Sequence, residues 1–395
     1  MSKLPPKVLV LNGNEVITGY GAVVDAPPAG RDGEVLGRIA GALRDNGQVF
    51  LTDDPAWDYL IDPDIRGDWT VTGGPGWYTA RRGASRLRIG KLPMIRPGNS
   101  PLLDDKPDLI AIAVRHQMFA NMTGVPFYGD GGTVFNLLLE QAAGKIRGRE
   151  PLRKWLDDKA PRVREDGWPG GSGWTAPGSD GRGKLEVDRN AQYLAGMSGV
   201  YVPLDAPQRT GPASFDARRA GLWEITVPDN PEPRLPHPCG AKAQPGRKAW
   251  HATTTVALLE RLGVRVQVHD SLTLPRERCR RILDPLAAAL STARAELLGS
   301  TDPDTLALLG AVKDTWTRGI SHLDKSPDRQ WYRADWKAEY FSSARCRMWH
   351  SLHTAGTVHD IWPVAISTDT VTYSDISAGA ALKIGTGVGE WKVRP

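Results

Sequence analysis

A chain of 395 residues, 40% hydrophobic and 24% charged, is too long for one small core and too apolar for wholesale disorder, which predicts two or three globular domains. Its 50 Lys and Arg against 45 Asp and Glu, a formal +5, favour polyanionic partners over acidic surfaces. Only Cys239, Cys279 and Cys346 are present, without metal-ligand spacing, which excludes a disulfide framework and a zinc finger.

A reducing, cytoplasmic setting is therefore expected. The stretch Val8 to Leu11 is too short for a signal sequence, and no apolar run reaches the length of a membrane span. The 14 tryptophans against 6 phenylalanines supply flat amphipathic rings, more commonly core filling than surfaces for stacking bases.

In chain order, Lys7 to Asp25 reads as two β-rich runs around Asn12-Gly13, a hairpin. Glu34 to Asp45 has helical spacing, Gln48 to Thr52 is a short buried strand, and Ser85 to Ile95 alternates as a strand. With helices over Leu109 to Asn121 and Thr133 to Gly144, residues 1–155 form a mixed α/β N-terminal domain. Residues 156–183 are crowded with Gly, Pro, Ser and charge and read as a linker, although Trp168 and Trp174 within it suggest docking sites. A third region, 184–395, follows. It has a strand at Leu185 to Asp188, a short helix to Met197, a strand at Gly221 to Val227, a helix at Ala252 to Leu262 and a strand at Val264 to His269. Two long helices, Arg276 to Leu298 and Asp304 to Ile320, form a hairpin. A helix over Ala338 to Ala355 and a strand from Pro363 to Asp369 come next, and little more than twenty residues remain.

Asp188 ends one apolar strand and Asp369 another, with a helical hairpin between them in sequence. Two carboxylates on one sheet edge suit hard divalent cations that also bind phosphate oxygens, the layout of a polymerase palm. Asp188-Arg189-Asn190-Ala191-Gln192-Tyr193 resembles motif A of family-B DNA polymerases. Lys313-Asp314-Thr315-Trp316-Thr317-Arg318-Gly319 is similar to motif B without its following Asn-Ser and Tyr-Gly, and Ser367-Thr368-Asp369-Thr370-Val371 resembles motif C with Ser for its first Asp. Aligned one residue pair later, Val371 would take the ligand position and catalysis would fail.

The resemblance implies an α+β fold. An antiparallel palm carries a helical-hairpin fingers insertion at about 276–321 and a minimal or absent thumb, behind an N-terminal domain of degenerate ribonuclease-H-like kind lacking its Asp-x-Glu motif. It implies a DNA polymerase or nucleotidyltransferase that adds deoxynucleotides by two-metal chemistry. Asp188 and Asp369 would be catalytic, Asp188, Arg189 and Asp369 would be the metal-binding positions for Mg²⁺ or Mn²⁺, and Tyr193, Lys313, Arg280 and Arg281 would bind nucleotide. Asp188-Arg189-Asn190-Ala191, Gly221-Leu222-Trp223-Glu224-Ile225, Arg234-Leu235-Pro236-His237-Pro238, Ala249 to Val256 and Val312-Lys313-Asp314-Thr315 together also resemble the C-terminal part of actinobacterial telomere-associated proteins of linear Streptomyces replicons. That implies DNA, deoxynucleoside triphosphates and a terminal protein as partners, in a bacterial nucleoid or a phage-infected cell, without a membrane. The alternative is a non-catalytic scaffold that binds DNA ends or a terminal protein. His350 and His353, and the run Gly385 to Gly389, read as ordinary surface histidines and a turn rather than a metal site and a phosphate loop.

Overall fold

The computed structural model describes residues 7–12, 14–25, 34–43, 47–61, 68–74, 76–96, 98–147, 173–240, 243–325 and 332–394. The fold is mixed α/β and divides into two compact units, residues 1–140 with 292–319, and residues 141–291 with 320–395.

The first unit is built on seven strands: β1 (Val8–Asn12), β2 (Glu15–Thr18), β3 (Val23–Asp25), β4 (Gln48–Leu51), β5 (Thr70–Gly74), β6 (Trp77–Arg82) and β7 (Ser85–Lys91), in the order β3-β2-β1-β4-β7-β6-β5. The expected hairpin is β1–β2, and β1, β4 and β7 run parallel to one another. The unbroken apolar run at Val8 to Leu11 is explained by burial on both faces. Leu9 and Leu11 pack with helix α1 (Glu34–Ala42), whereas Val8 and Val10 pack with helix α2 (Leu109–Thr123). Asp108 caps α2 by accepting from the Ala111 N–H at 2.7 Å, and Gly124 ends it in the left-handed conformation that favours glycine. β7 stops where Pro93 enters a 3-10 turn, because proline has no N–H to offer the ladder. Helix α3 (Gly131–Arg147) follows.

The second unit is antiparallel. Its five-stranded sheet, in the order β18-β9-β17-β16-β8, comprises β8 (Trp174–Thr175), β9 (Leu185–Arg189), β16 (Ala365–Ser367), β17 (Thr370–Tyr373) and β18 (Trp391–Val393). A four-stranded sheet, β11-β14-β12-β13, comprises β11 (Gln208–Arg209), β12 (Ala220–Thr226), β13 (Lys248–Ala252) and β14 (Val268–Leu274). β10 (Val202–Pro203) pairs with β15 (Cys279–Arg280). Helices α4 (Gln192–Met197), α5 (Thr253–Arg261) and the 26-residue α8 (Ala334–His359) pack around these sheets, and the hairpin helices are α6 (Asp284–Leu297) and α7 (Pro303–His322). Leu185, Val187, Ile366, Val371, Tyr373 and Trp391 form one core with Trp349, Leu352 and Ala355 of α8.

The structure departs from the sequence reading at three places. Residues 156–172 of the expected linker lie outside the described residues, and Trp174 is in a strand paired to β16 with its ring against the sheet's core. The first hairpin helix begins at Asp284 rather than Arg276, because Cys279 is buried in the β10–β15 pair and Pro285 supplies the fixed φ of a first helical turn. Residues 292–319, including most of α7, group with the first unit rather than with the second. Within that unit Arg115 is buried, donating to Asp105 at 2.5 and 2.8 Å and to Asp304 of α7 at 2.7 Å. The Gly131 N–H donates to Asp314 of α7 at 3.0 Å. No described helix is long and apolar enough to cross a membrane.

Candidate active site

Asp188 sits near the end of β9, which lies between β17 and the edge strand β18. Its direct partners are Thr370 on one side and Lys392 on the other, and directly opposed residues in such a ladder project to the same face. The carboxylate therefore accepts from the Thr370 hydroxyl at 3.0 Å on one oxygen and pairs with Lys392 Nζ at 3.0 Å on the other.

Asp369 lies with Thr368 in the tight turn joining β16 to β17, where Ser367 pairs with Thr370. Its carbonyl accepts from the Arg189 N–H at 2.9 Å, which draws the turn onto the strand that carries Asp188. Burial, and then the neighbouring Asp188 charge, push the Asp369 carboxyl above the usual carboxylate range, against opposing pulls from Lys392 and Arg394. Thr368 has φ 57°, a left-handed conformation that a β-branched residue rarely adopts. Ala191, just before α4, shares that region at φ 45° and turns the chain so that Tyr193 falls in the first turn of α4.

Tyr193 lies within electrostatic reach of Asp369. Its phenol is pushed up by burial first and by the Asp369 charge second. Its ring lies 4.9 Å from that of Phe341 on α8, tilted by 47°. Over Phe341, at 5.5 Å from the ring centroid, sits Lys337 Nζ, which also pairs with Asp324 at 2.7 Å. Lys337 was missed from the sequence. Its available signal was the spacing Lys337 to Phe341, one turn apart on a helix whose neighbouring positions Asp335, Trp336, Ala338, Glu339 and Tyr340 are all buried.

The remaining expected site residues make other contacts. Arg189 cannot be a metal ligand through its side chain, since a guanidinium only donates. It donates to the Gly389 carbonyl at 3.1 Å and lies 5.4 Å from the Trp391 ring centroid, bracing the turn before β18. Arg280 is exposed and turned back onto the carbonyls of Glu277 and Cys279, both at 2.8 Å. Arg281 lies 4.7 Å from the Tyr201 ring centroid, which Arg276 also covers at 4.9 Å. Lys313 belongs to the first unit, between Val312 in its core and Asp314.

The glycine-rich run Gly385 to Gly389 is a turn wrapped on the Glu390 carboxylate, which takes the Gly387 N–H at 2.8 Å. A Cβ at Gly385 would come within 2.2 Å of that carboxylate. His353 is stacked on Trp349, 4.9 Å between centroids at 15°. Among the described residues no group of three or more His, Cys, Asp and Glu could hold a metal. Asp188 and Asp369 nevertheless fit a Mg²⁺ or Mn²⁺ ion that takes one or two protein carboxylates and completes its shell with waters and substrate phosphates. Their mutual repulsion, seen in the raised Asp369, is what a bound cation relieves.

No protein-family model and no curated protein sequence matches the chain. Among solved structures it is similar to phi29 DNA polymerase complexed with primer-template DNA and incoming nucleotide substrates, at 12% identity and a TM-score of 0.48 over 95% of this chain and 80% of that one. It is also similar to the orthorhombic crystal form of the same polymerase, at 10% identity and 0.49 over 96% and 80%. For its complex with single-stranded DNA the values are 12% and 0.46 over 95% and 80%. At such identities no residue role passes from those proteins to this chain.

Proposed function

We propose that the second unit is the palm of a family-B-like DNA polymerase or nucleotidyltransferase, adding deoxynucleotides to a DNA or protein primer. The observation that carries this is the pairing of β17 with β9, which sets the Asp369 turn beside Asp188 at one end of the strands, with the half-buried Tyr193 against Phe341 and within electrostatic reach of Asp369. Asp188 and Asp369 would hold Mg²⁺ or Mn²⁺, and such ions, when bound, activate the attacking hydroxyl and neutralise the leaving pyrophosphate. Tyr193 would exclude a ribose 2′-hydroxyl by filling the space beside Asp369. Lys337, over the Phe341 ring that Tyr193 also meets, would contact the triphosphate in the role first expected of Lys313. Thr370 holds one oxygen of Asp188 and fixes its orientation.

A second reading is favoured by one contact. Lys392 already neutralises Asp188, and Ser367 stands where motif C has its first Asp, so the unit would be a scaffold without chemistry that binds DNA ends or a terminal protein, as at the telomere of a linear replicon. The test is Mg²⁺-dependent incorporation of labelled deoxynucleotide on primer-template, on unprimed single strand and with added terminal protein, for the wild type and Asp369→Ala. Incorporation abolished by the substitution establishes the polymerase reading. Absence of incorporation everywhere, with DNA still bound, establishes the scaffold.

A further inference from the structure

The first unit carries an arginine cluster that its own fold does not neutralise. β6 and β7 pair so that Thr79 faces Arg88 and Arg81 faces Arg86, putting three guanidinium side chains on one face of a two-strand ribbon. Like charges directly opposed across strands destabilise the pair. A ribbon built for stability alone would alternate sign here.

The counter-charge is thin. Glu140 on α3 reaches Arg86 at 3.7 Å, with both side chains about one-third exposed, and it is the only ion pair of the three arginines among the described residues. Arg88 is 8% exposed, yet it forms no ion pair there; its neighbour is the Tyr128 ring, 6.0 Å away. Tyr128 is fixed from two sides, by a 3.2 Å hydrogen bond between its hydroxyl and that of Thr79 and by edge contact with Trp77 at 4.9 Å. Burial, followed by the Arg86 charge, lowers the Arg88 guanidinium to about 10. A buried guanidinium beside two further cations, with no carboxylate hydrogen-bonded to it, is completed by an external anion.

The position of the cluster separates it from any degenerate nuclease centre. Val8, Gln48 and Arg88 are in register at the beginning of the three parallel strands, and Leu11, Leu51 and Lys91 at their ends. In open sheets of parallel strands, ligand sites form beyond the carboxyl ends. The arginines lie at the opposite end.

We propose that the Arg81–Arg86–Arg88 face of the β6–β7 ribbon binds the phosphodiester backbone of a single nucleic-acid strand. Arg86 and Arg88 are two residues apart on one strand, about 6.6 Å, a step that matches successive phosphates of an extended strand, and guanidinium forks suit phosphate oxygens. An acidic polypeptide would satisfy the charge, but the half-buried Tyr128 ring beside Arg88 favours a ligand with stacking bases. The surface is independent of the palm and stands whether or not the second unit performs chemistry.

The test uses the full chain and a fluorescently labelled oligo-dT of about 20 nucleotides, without divalent metal or nucleotide, with anisotropy read from 50 to 200 mM salt. Each lost phosphate contact on a single strand lowers the slope of log affinity against log salt by about 0.7. Arg81→Ala with Arg86→Ala, a pair at the exposed tip of the ribbon, should therefore lower it by about 1.4. Their affinity deficit should narrow roughly sevenfold over that salt range. Glu140→Gln, which removes the internal counter-charge, should tighten binding. Arg247→Ala with Arg265→Ala, exposed arginines of the second unit outside the carboxylate site, should leave the slope unchanged; with no divalent metal or nucleotide present, failure of the polymerase reading and failure of this one are distinguishable. An unchanged slope in the arginine variant, with its melting curve intact, overturns the proposal. So does a loss confined to a poly-glutamate competitor while the oligonucleotide still binds as in the wild type.

Discussion

Glu339 offers the sharpest test of how α8, the helix that carries Lys337 and Phe341, is fixed. Ala252 at the cap position of α5 has no side-chain oxygen, and Glu339 reaches across from α8 to do the capping. Its carboxylate accepts from the Thr253 N–H at 2.8 Å, the Thr254 N–H at 3.3 Å and the Thr254 hydroxyl at 2.7 Å. It is 1% exposed, and burial outweighs those bonds, lifting its carboxyl from 4.5 to about 7. A folded value above the unfolded one means that between about 4.5 and 7 the native state binds a proton that the unfolded state has released. Stability therefore falls as pH rises through that window and levels off above it. At 1.36 kcal/mol per pH unit the fall is about 3 kcal/mol. Glu339→Gln keeps the acceptor for Thr253, lets the Thr254 hydroxyl turn to accept, and cannot ionise. The variant should match the wild type at pH 5 within about 1 kcal/mol and exceed it by about 3 kcal/mol at pH 8. Urea unfolding followed by tryptophan fluorescence at both values measures this. A difference between the two proteins that does not change with pH would refute the cross-capping account.

Asp369→Asn should abolish Mg²⁺-dependent incorporation and yet raise the melting temperature at pH 7, because burial and Asp188 disfavour the charged form and the amide escapes both; Mg²⁺ should then stabilise only the wild type. Lys392→Gln frees Asp188 from an exposed pair of at most about 1 kcal/mol, so the Mg²⁺ concentration for half-maximal stabilisation should drop by up to roughly fivefold; a rise would mean that Lys392 does not compete with the metal. Thr368→Gly removes a left-handed strain of about 1–2 kcal/mol, partly offset by glycine's greater unfolded-state freedom, and should raise thermal stability slightly while slowing incorporation. Gly131→Ala would drive a methyl to 2.3 Å from the Asp314 backbone, costing about 1–3 kcal/mol in the first unit, readable as a lowered urea midpoint.

The strands that carry the site were legible because their apolar runs are local: Leu185 to Asp188 needs no distant partner to be recognised, and the strand expected from Pro363 to Asp369 is found at Ala365 to Ser367, with Asp369 in the turn that follows. β5 and β6 were not, because Gly73, Gly74 and Gly76 interrupt the strand pattern, whereas the ladder from Thr70 to Arg82 tolerates glycines where strands approach closely. The start of α6 was misplaced because four arginines between 276 and 281 look helical, and only the pairing of Cys279 with Pro203 overrides them. Lys313 illustrates a deeper limit. A helical pattern states which residues share a face, not which core that face joins, and α7 joins the first unit through Asp304 and Asp314. Lys337 is the converse case: its only local signal is the one-turn spacing to Phe341 among buried positions, and nothing local says that the Phe341 ring meets Tyr193.

Strain separates the two readings of the carboxylate pair. Besides glycines, the described residues adopt a left-handed backbone at Lys106, Ala191, Thr368 and Asp360. Asp360 ends α8 in the ordinary way for an aspartate, but Ala191 and Thr368 have no such excuse: neither has a short polar side chain suited to that conformation, and Thr is β-branched. Both adjoin the site, Thr368 immediately before Asp369 and Ala191 between Asp188 and Tyr193. A binding scaffold gains nothing from holding a carboxylate at such cost, and Gly or Asn at either position would relieve it. A reaction centre gains what the strain provides, an Asp369 turn locked by the Arg189 N–H across from Asp188 and a Tyr193 ring delivered to it at the first turn of α4. The Lys392 pair, by contrast, is half-exposed and yields to any competing cation. The feature favouring chemistry is thus built into the backbone, and the feature against it is a side chain free to move.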